Sequence, residues 1–101
     1  MKTKELKTFF EKNGFNVFLT KQDNVQCADI EKWTDRGVDM VIWLNPFTPN
    51  EFKSYVNSFN VDEEIDIHRQ EQLYKDNFTI RQSLKDFTDF HNDMKEVAQK
   101  L

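Results

Sequence analysis

A chain of 101 residues is the length of one domain, and we expect residues 1–101 to fold as a single α+β domain. The apolar fraction of 38% is low and 32% of the residues are charged, but ten Phe, two Trp and two Tyr exclude a disordered chain, because such chains are poor in aromatic residues. One cysteine excludes an intramolecular disulfide and a multi-cysteine metal site, and no apolar run suits a signal peptide or a membrane span, so the composition favours a cytoplasmic protein without membrane association.

The net charge of −4 is unevenly distributed along the chain. Residues 1–21 hold five Lys and two Glu, a sum of +3, whereas residues 22–101 hold nine Lys and Arg and sixteen Asp and Glu, a sum of −7. Proteins that bind nucleic acids usually show the opposite bias, with a basic face along the phosphates. We therefore expect no direct contact with nucleic acid. Two interpretations of the acidic body stay open: it matches a basic surface of a partner, or it only keeps the protein soluble.

The chain is predicted to begin with a helix and a strand. Residues 4–13 have the helical spacing of apolar side chains, with Thr3 as N-cap and Gly14 as the residue that ends the helix; the apolar positions are Leu6, Phe9 and Phe10. Residues 15–20 are rich in β-branched and aromatic side chains and predict a strand. The polar residues 21–24 then predict a turn.

Two further strands are predicted over residues 25–34 and 38–44. A three-residue loop joins them, with Gly37 at the position that favours a positive φ. This loop places Ile30 opposite Ile42 on a mostly apolar face, whereas a two-residue loop would set Ile30 beside polar residues. The other face then carries acidic and aromatic residues in three cross-strand pairs: Trp33 with Asp39, Glu31 with Val41, and Asp29 with Trp43.

A second helix is predicted directly after the sheet. Thr48 as N-cap, Pro49 at the first helical position and Glu51 of a capping box form a strong helix start. An apolar stripe follows at Phe52, Tyr55, Val56 and Phe59. Beyond Asn60, which breaks the stripe, we expect Asp62 to cap a further short helix that contains Ile65.

The last helix has the clearest periodicity. Residues 74–77 are predicted to be a connector, and Thr79 with Gln82 forms another capping box. The stripe that follows indicates core packing or a helix–helix seam; it comprises Ile80, Leu84, Phe87, Phe90, His91, Met94, Val97, Ala98 and Leu101. The expected order is therefore one helix, a three-stranded antiparallel sheet, then two or three helices packed on one sheet face.

No pattern in the chain predicts a catalytic or metal site. Cys27 with His68 or His91 is the only Cys–His combination, but a lone cysteine within a strand usually acts as a small apolar residue. Glu64, His68 and Glu71 have spacings that share a helix face, yet a second histidine on that helix is missing. We expect His91 to be a hydrogen-bonded residue inside or beside the helical packing. The sequence thus predicts no enzyme, no cofactor and no metal.

Two acidic surfaces are the candidate partner-binding sites. The first is the polar sheet face, whose candidate residues are Asp29, Glu31, Asp39 and Trp43. The second is an acidic helical segment, whose candidate residues are Asp62, Glu63, Glu64 and Asp66. A plainer interpretation stays open for each: the first helix or Phe18 covers the Trp rings, and the helical acids only complement the positive end of their own helix.

Two segments carry a resemblance to known proteins. Residues 59–70 (FNVDEEIDIHRQ) and residues 77–84 (NFTIRQSL) resemble short, uncharacterised acidic proteins of phages and integrative mobile elements in Gram-positive bacteria. The predicted element order is also similar to that of a small acidic anti-CRISPR protein that inhibits a type II CRISPR effector nuclease. That resemblance implies a nucleic-acid mimic, in which carboxylates lie against the basic site that reads the PAM. It carries over no functional residue.

The expected function is that of a non-enzymatic, anti-CRISPR-like inhibitor of mobile-element origin. Its acidic residues would occlude a basic nucleic-acid-binding surface of a host defence protein in the bacterial cytoplasm, with a CRISPR effector nuclease as the partner that the resemblance suggests. The alternative is an accessory or regulatory module that self-associates or binds an element-encoded protein through its helical stripe. Either a monomer or a homodimer is compatible with the sequence.

Overall fold

Helices and strands follow one another in the predicted order in the computed structural model, which describes residues 1–71 and 80–101, with side chains for 1–67 and 84–101. The described elements are α1 (Thr3–Lys12), β1 (Asn16–Gln22), β2 (Val25–Trp33), β3 (Asp39–Leu44), α2 (Pro49–Ser58), α3 (Val61–Glu71) and α4 (Ile80–Gln99). The predicted α+β class is confirmed. The strands form one antiparallel sheet in the order β1-β2-β3.

Helix α1 ends as predicted but begins differently. Gly14 has φ +88°, and its N–H donates to the carbonyl of Glu11 while the N–H of Phe15 donates to the carbonyl of Phe10. These two bonds form a Schellman motif, which needs a residue that tolerates a positive φ. The N-cap is Lys2 rather than Thr3, and no side chain caps this end. The prediction of Thr3 as cap was wrong because the helix begins one residue earlier and includes it.

Strands β1 and β2 form a tight hairpin. Asp23 and Asn24 have φ values of +52° and +65°, as in a type I′ turn, so the turn is shorter than the predicted residues 21–24. Strand β1 consequently runs on to Gln22, and Phe15, predicted to start it, is instead buried in front of the strand.

The predicted register of β2 and β3 is confirmed at every pair. Ile30 lies opposite Ile42, and Thr34 donates its N–H to the carbonyl of Val38 at 2.8 Å, which closes the three-residue loop. Gly37 has φ +79°, as the loop type requires. The side chains of Ile30 and Ile42 are both buried, so this face meets the helices.

The core lies between that inner sheet face and the helices. Phe10 is fully buried, and its ring centroid lies 4.7 Å from that of Phe52, 5.9 Å from Phe47 and 6.2 Å from Phe15. The other buried residues of the same cluster come from every described element; they include Leu6, Val17, Ala28, Ile30, Met40, Ile42, Leu44, Val56, Ile65, Phe87, Phe90, Met94 and Val97. One continuous core therefore joins the sheet to all four described helices.

The predicted start of α2 is confirmed, and the predicted start of α3 was wrong. The Thr48 hydroxyl accepts from the backbone N–H of Glu51 at 3.2 Å, and Pro49 is the first helical residue. In α3 the cap is Asn60, whose side-chain oxygen accepts from the N–H of Glu63 at 3.0 Å. Asp62 was predicted as this cap, but the helix begins at Val61, which places Asp62 inside its first turn.

The stripe of α4 is core packing over its described part. Phe87, Phe90, Met94 and Val97 are buried, whereas Leu84 remains 45% exposed. The predicted connector at 74–77 and Thr79 lie outside the described residues, and so does the side chain of Gln82. Among the residues that the structure does describe, no helix is long and apolar enough to cross a membrane.

Candidate functional site

Most of the sheet face that points away from the helices is open to solvent; Cys27, which shares this face by register, is buried. We call the open part the outer sheet face; its residues are Asn16, Phe18, Asp29, Glu31, Trp33, Asp39, Val41 and Trp43. Trp33 is 56% exposed, Phe18 54%, Val41 50% and Trp43 43%. Neither α1 nor Phe18 covers the Trp rings, so the interpretation of two covered Trp residues was wrong. A row of large apolar side chains this exposed is typical of an interaction surface.

The strand register arranges these side chains in cross-strand rows. Phe18, Asp29 and Trp43 form one row, with Asp29 in the middle strand between two aromatic rings. Asn16, Glu31 and Val41 form the next row, and a third pairs Trp33 with Asp39. Neighbours within a row have Cβ atoms about 5 Å apart. Apolar and acidic groups therefore alternate on the outer sheet face at the scale of single side chains.

Glu31 is held in position by two donors on the same face. One oxygen of its carboxylate, Oε1, accepts from Asn16 Nδ2 at 3.1 Å and from Trp33 Nε1 at 3.2 Å. These two bonds join a residue of β1, the carboxylate and an aromatic ring of β2. The Trp33 ring is thereby oriented although more than half of it is exposed.

Asp39 lies diagonally across from Glu31 and interacts with it. Partial desolvation, then a side-chain hydrogen bond to Glu31 and the charge of that carboxylate, raise the pKa of Asp39 above its ordinary value of 3.8. Like charges this close repel, and a cation placed between them would relieve the repulsion. The pair is thus suited to a Lys or Arg side chain of a partner.

This pKa shift predicts a measurable effect of pH on stability. A carboxyl whose pKa is raised by folding binds protons more readily in the folded chain, so its contribution to stability is lost as pH rises from about 4 through the folded pKa. Asp39→Asn should therefore raise the free energy of unfolding at pH 7, by less than about 1 kcal/mol because the site is exposed and screened. The gain should disappear below pH 4. Urea unfolding of both proteins across this range measures it.

Asp62→Asn is the matched control for that experiment. Asp62 lies in the first turn of α3, where a negative charge is favourable, so its replacement should lower stability at neutral pH. If Asp39→Asn still raised the free energy of unfolding below pH 4, the assigned repulsion between Asp39 and Glu31 would be contradicted.

The ion pairs of the described region lie away from the outer sheet face. The ion pairs among the described side chains are Lys7–Glu11, Lys32–Asp93, Arg36–Asp86 and Lys85–Asp89. None of these pairs includes a carboxylate of the outer sheet face. Its three acidic groups, Asp29, Glu31 and Asp39, therefore form no ion pair with a described basic side chain.

A cleft of about 480 Å³ lies between the β2–β3 loop and α4, and it is a poorer candidate. Arg36 of the loop pairs with the buried Asp86, and Lys32 pairs with Asp93 at 2.9 Å. These pairs bridge the sheet to α4 across the cleft. Its charged groups thus serve to attach the hairpin to the helical layer.

The acidic segment of α3 lies in a different layer from the outer sheet face. Asp62, Glu63 and Asp66 are exposed, and Glu64 is half-buried near Tyr55, whose pKa is raised above 10.0 by burial and then by the Glu64 charge. Ile65 of the same helix packs into the core on the inner side of the sheet. The structure therefore does not bring the two candidate acidic groups together on one surface.

The residues considered for chemistry have structural surroundings. Cys27 is fully buried, with its Sγ 3.5 Å from the carbonyl oxygen of Val25. His91 is hydrogen-bonded through Nε2 to the carbonyl of Val56 at 3.1 Å and packs against the ring of Phe59, which confirms the predicted hydrogen-bonded histidine. No group of three potential metal ligands occurs among the described side chains, and the side chains of His68 and Glu71 lie outside them.

Phe18 and Asn16 belong to this site but were not predicted as part of it. A two-residue turn at 23–24 would have set Phe18 opposite Asp29 and Asn16 opposite Glu31. The signal was present in the polar pair Asp23-Asn24, since both residues tolerate a positive φ.

The sequence matches no known protein family, and no curated protein or solved structure is significantly similar to it.

Proposed function

We propose that this chain is a non-enzymatic, anti-CRISPR-like inhibitor of mobile-element origin, which occludes a basic nucleic-acid-binding surface of a host defence protein. The outer sheet face is the surface that would make this contact. A type II CRISPR effector nuclease is the first partner to test, because such an enzyme holds nucleic acid in a positively charged channel.

The observation that carries the proposal is the combination of exposed aromatic rings with unneutralised carboxylates. Trp33 and Trp43 can act as buried anchors in a complex, since Trp is enriched among the residues that dominate binding energy. The carboxylates between them can replace phosphates as partners of Lys and Arg. A surface that binds an apolar region of another protein does not require three carboxylates. A sheet face that stays in solvent does not require two exposed Trp rings.

A second observation favours the outer sheet face over the helical stripe. The alternative function requires the stripe of α4 to bind a partner, but Phe87, Phe90, Met94 and Val97 are already buried against the chain's own core. The described part of the stripe leaves Leu84 as its exposed large apolar side chain. The outer sheet face offers more apolar surface that is free to be covered.

The test measures DNA cleavage by a guide-loaded type II effector nuclease to which the chain is added before or after target DNA. We expect inhibition when the chain is added first, and weaker inhibition as salt rises, because exposed charges are screened over about 8–10 Å near physiological ionic strength. A variant that neutralises the outer sheet face should lose inhibition; its changes are Asp29→Asn, Glu31→Gln and Asp39→Asn. Measured binding that does not depend on salt would refute acidic mimicry.

Two variants with the same loss of charge serve as controls. Neutralising scattered exposed acids should leave inhibition within about threefold of the parent; these changes are Glu5→Gln, Asp23→Asn and Glu96→Gln. Neutralising the α3 segment should slow association without eliminating the complex, by the loss of long-range steering; these changes are Asp62→Asn, Glu63→Gln and Asp66→Asn. Equal loss of inhibition in all three variants would show that net charge, not the outer sheet face, is responsible.

A further inference from the structure

Strand β3 is an edge of the sheet, and its outward backbone groups are unpaired within the described chain. The bond from Thr34 N–H to Val38 C=O makes these two residues a hydrogen-bonded pair, and such pairs alternate along an antiparallel ladder. The backbones of Met40, Ile42 and Leu44 therefore bond to β2. Those of Asp39, Val41 and Trp43 point away from it, and no other described backbone group bonds to them.

Asp39, at the start of β3, is the only residue of this strand that opposes pairing at the edge. Its six residues, DMVIWL, contain no Lys, Arg, Pro or Gly, and five of the six are large and apolar. Natural edge strands usually carry several charged residues or a Pro, which prevent pairing with another strand. The opposite edge, β1, carries Lys21, the type of residue that edge strands use most; its outward-pointing positions alternate as Val17, Leu19 and Lys21.

We infer that β3 pairs antiparallel with β3 of a second copy of this chain, across a two-fold axis beside Val41. In this register Val41 lies opposite Val41 of the partner, and Asp39 lies opposite the partner's Trp43. It pairs all three outward-pointing residues of each strand, which gives about six hydrogen bonds. A shift of one residue would put the two outer sheet faces on opposite sides of the joined sheet.

Charge and side-chain pairing favour the second copy as the occupant. The two Asp39 carboxylates would be four residues apart along the strand, roughly 13 Å, so they would not face each other. On the outer side the two Val41 side chains would cover each other, whereas each is 50% exposed in the isolated chain. On the inner side Met40 would lie beside the partner's Ile42, so every inner pair is apolar. The strand is thus complementary to itself.

The dimer would contain one continuous six-stranded sheet, and its outer sheet face would be doubled. The side chains of Asp39 and Trp43 would stay on that face, because side chains stand perpendicular to the plane in which strands pair. This inference does not depend on the proposed function, since it concerns the chain alone and is tested without any partner.

Sedimentation over a range of concentrations tests the inference. We expect the parent chain to form a species of twice its 12.2 kDa mass. Val41→Pro should raise the dimer dissociation constant by about tenfold or more, because it removes two intermolecular hydrogen bonds and none to β2. Leu19→Pro is the matched control, since its N–H points out from β1, and it should leave the dimer unchanged. A parent chain that is monomeric at every concentration would overturn the inference.

A crosslinking experiment keeps the test decisive if a proline variant fails to fold. Val41→Cys should form an interchain disulfide on mild oxidation, because opposed Cα atoms in a hydrogen-bonded pair lie about 5.5 Å apart. Phe18→Cys, on the outer sheet face but on β1, should not crosslink. Cys27 is buried and does not compete. A dimer in which Phe18→Cys crosslinks and Val41→Cys does not would place the interface elsewhere and refute the inference.

Discussion

Replacing Trp33 and Trp43 together by Ala is expected to raise the dissociation constant for the effector nuclease at least about thirtyfold, which corresponds to roughly 2 kcal/mol. Most of the change should appear as faster dissociation, because short-range anchors act after encounter. The free energy of unfolding should fall by only about 1 kcal/mol, since both rings are about half exposed in the free chain. Surface plasmon resonance and urea unfolding on the same protein separate the two effects.

The control for this prediction removes exposed apolar side chains from the helical layer. Ile67 is 50% exposed and Leu84 45%, close to the values for the two Trp residues. Ile67→Ala combined with Leu84→Ala should leave the dissociation constant within about twofold. If the Trp variant binds as tightly as the parent, the aromatic anchors have no role and the proposed function loses its main support.

Phe10→Ala should lower the free energy of unfolding by about 3–5 kcal/mol, the largest effect of any single change considered. Its side chain is fully buried and touches four further rings, those of Phe9, Phe15, Phe47 and Phe52. Removing it leaves a cavity where the Schellman end of α1, the loop after β3 and helix α2 converge. A marginally stable small domain can lose most of its stability through such a change. Chemical denaturation monitored by circular dichroism measures it.

Phe18→Ala deletes the same group of atoms from the outer sheet face. Because Phe18 is 54% exposed, its loss should cost less than about 1 kcal/mol of stability. Similar costs for both variants would contradict the division of the molecule into an inner core and an open outer face.

Local pattern was sufficient to predict the hairpin and its register. The three-residue loop ending at Gly37 and the period of two in β2 and β3 place Ile30 opposite Ile42, and a slip of one residue would bury acids. The Thr48 cap followed from the same kind of short-range chemistry, because its bond spans three residues. Such features depend on neighbours along the chain, so the sequence by itself determined them.

Competing local signals were less reliable. Asn60 and Asp62 are both good N-caps, and the choice between them depends on which residue lets Val61 and Ile65 pack inward. Thr3 is likewise a good N-cap, but α1 begins at Thr3 itself, so the residue in the cap position is Lys2. Burial of an apolar side chain outweighs the difference between two capping residues, and burial is known only when the helices are in place.

The sequence by itself determined that Asp29, Glu31 and Asp39 share a sheet face with Trp33 and Trp43, because strand periodicity assigns side chains to faces. Only the tertiary structure decided that no helix covers this face. A Trp side chain in a strand can be buried beneath a helix or remain exposed at a binding surface, and the strand pattern is the same in both cases. The fold also placed the acids of α3 in the opposite layer. Exposure depends on where every other element packs, and that is a property of the whole chain.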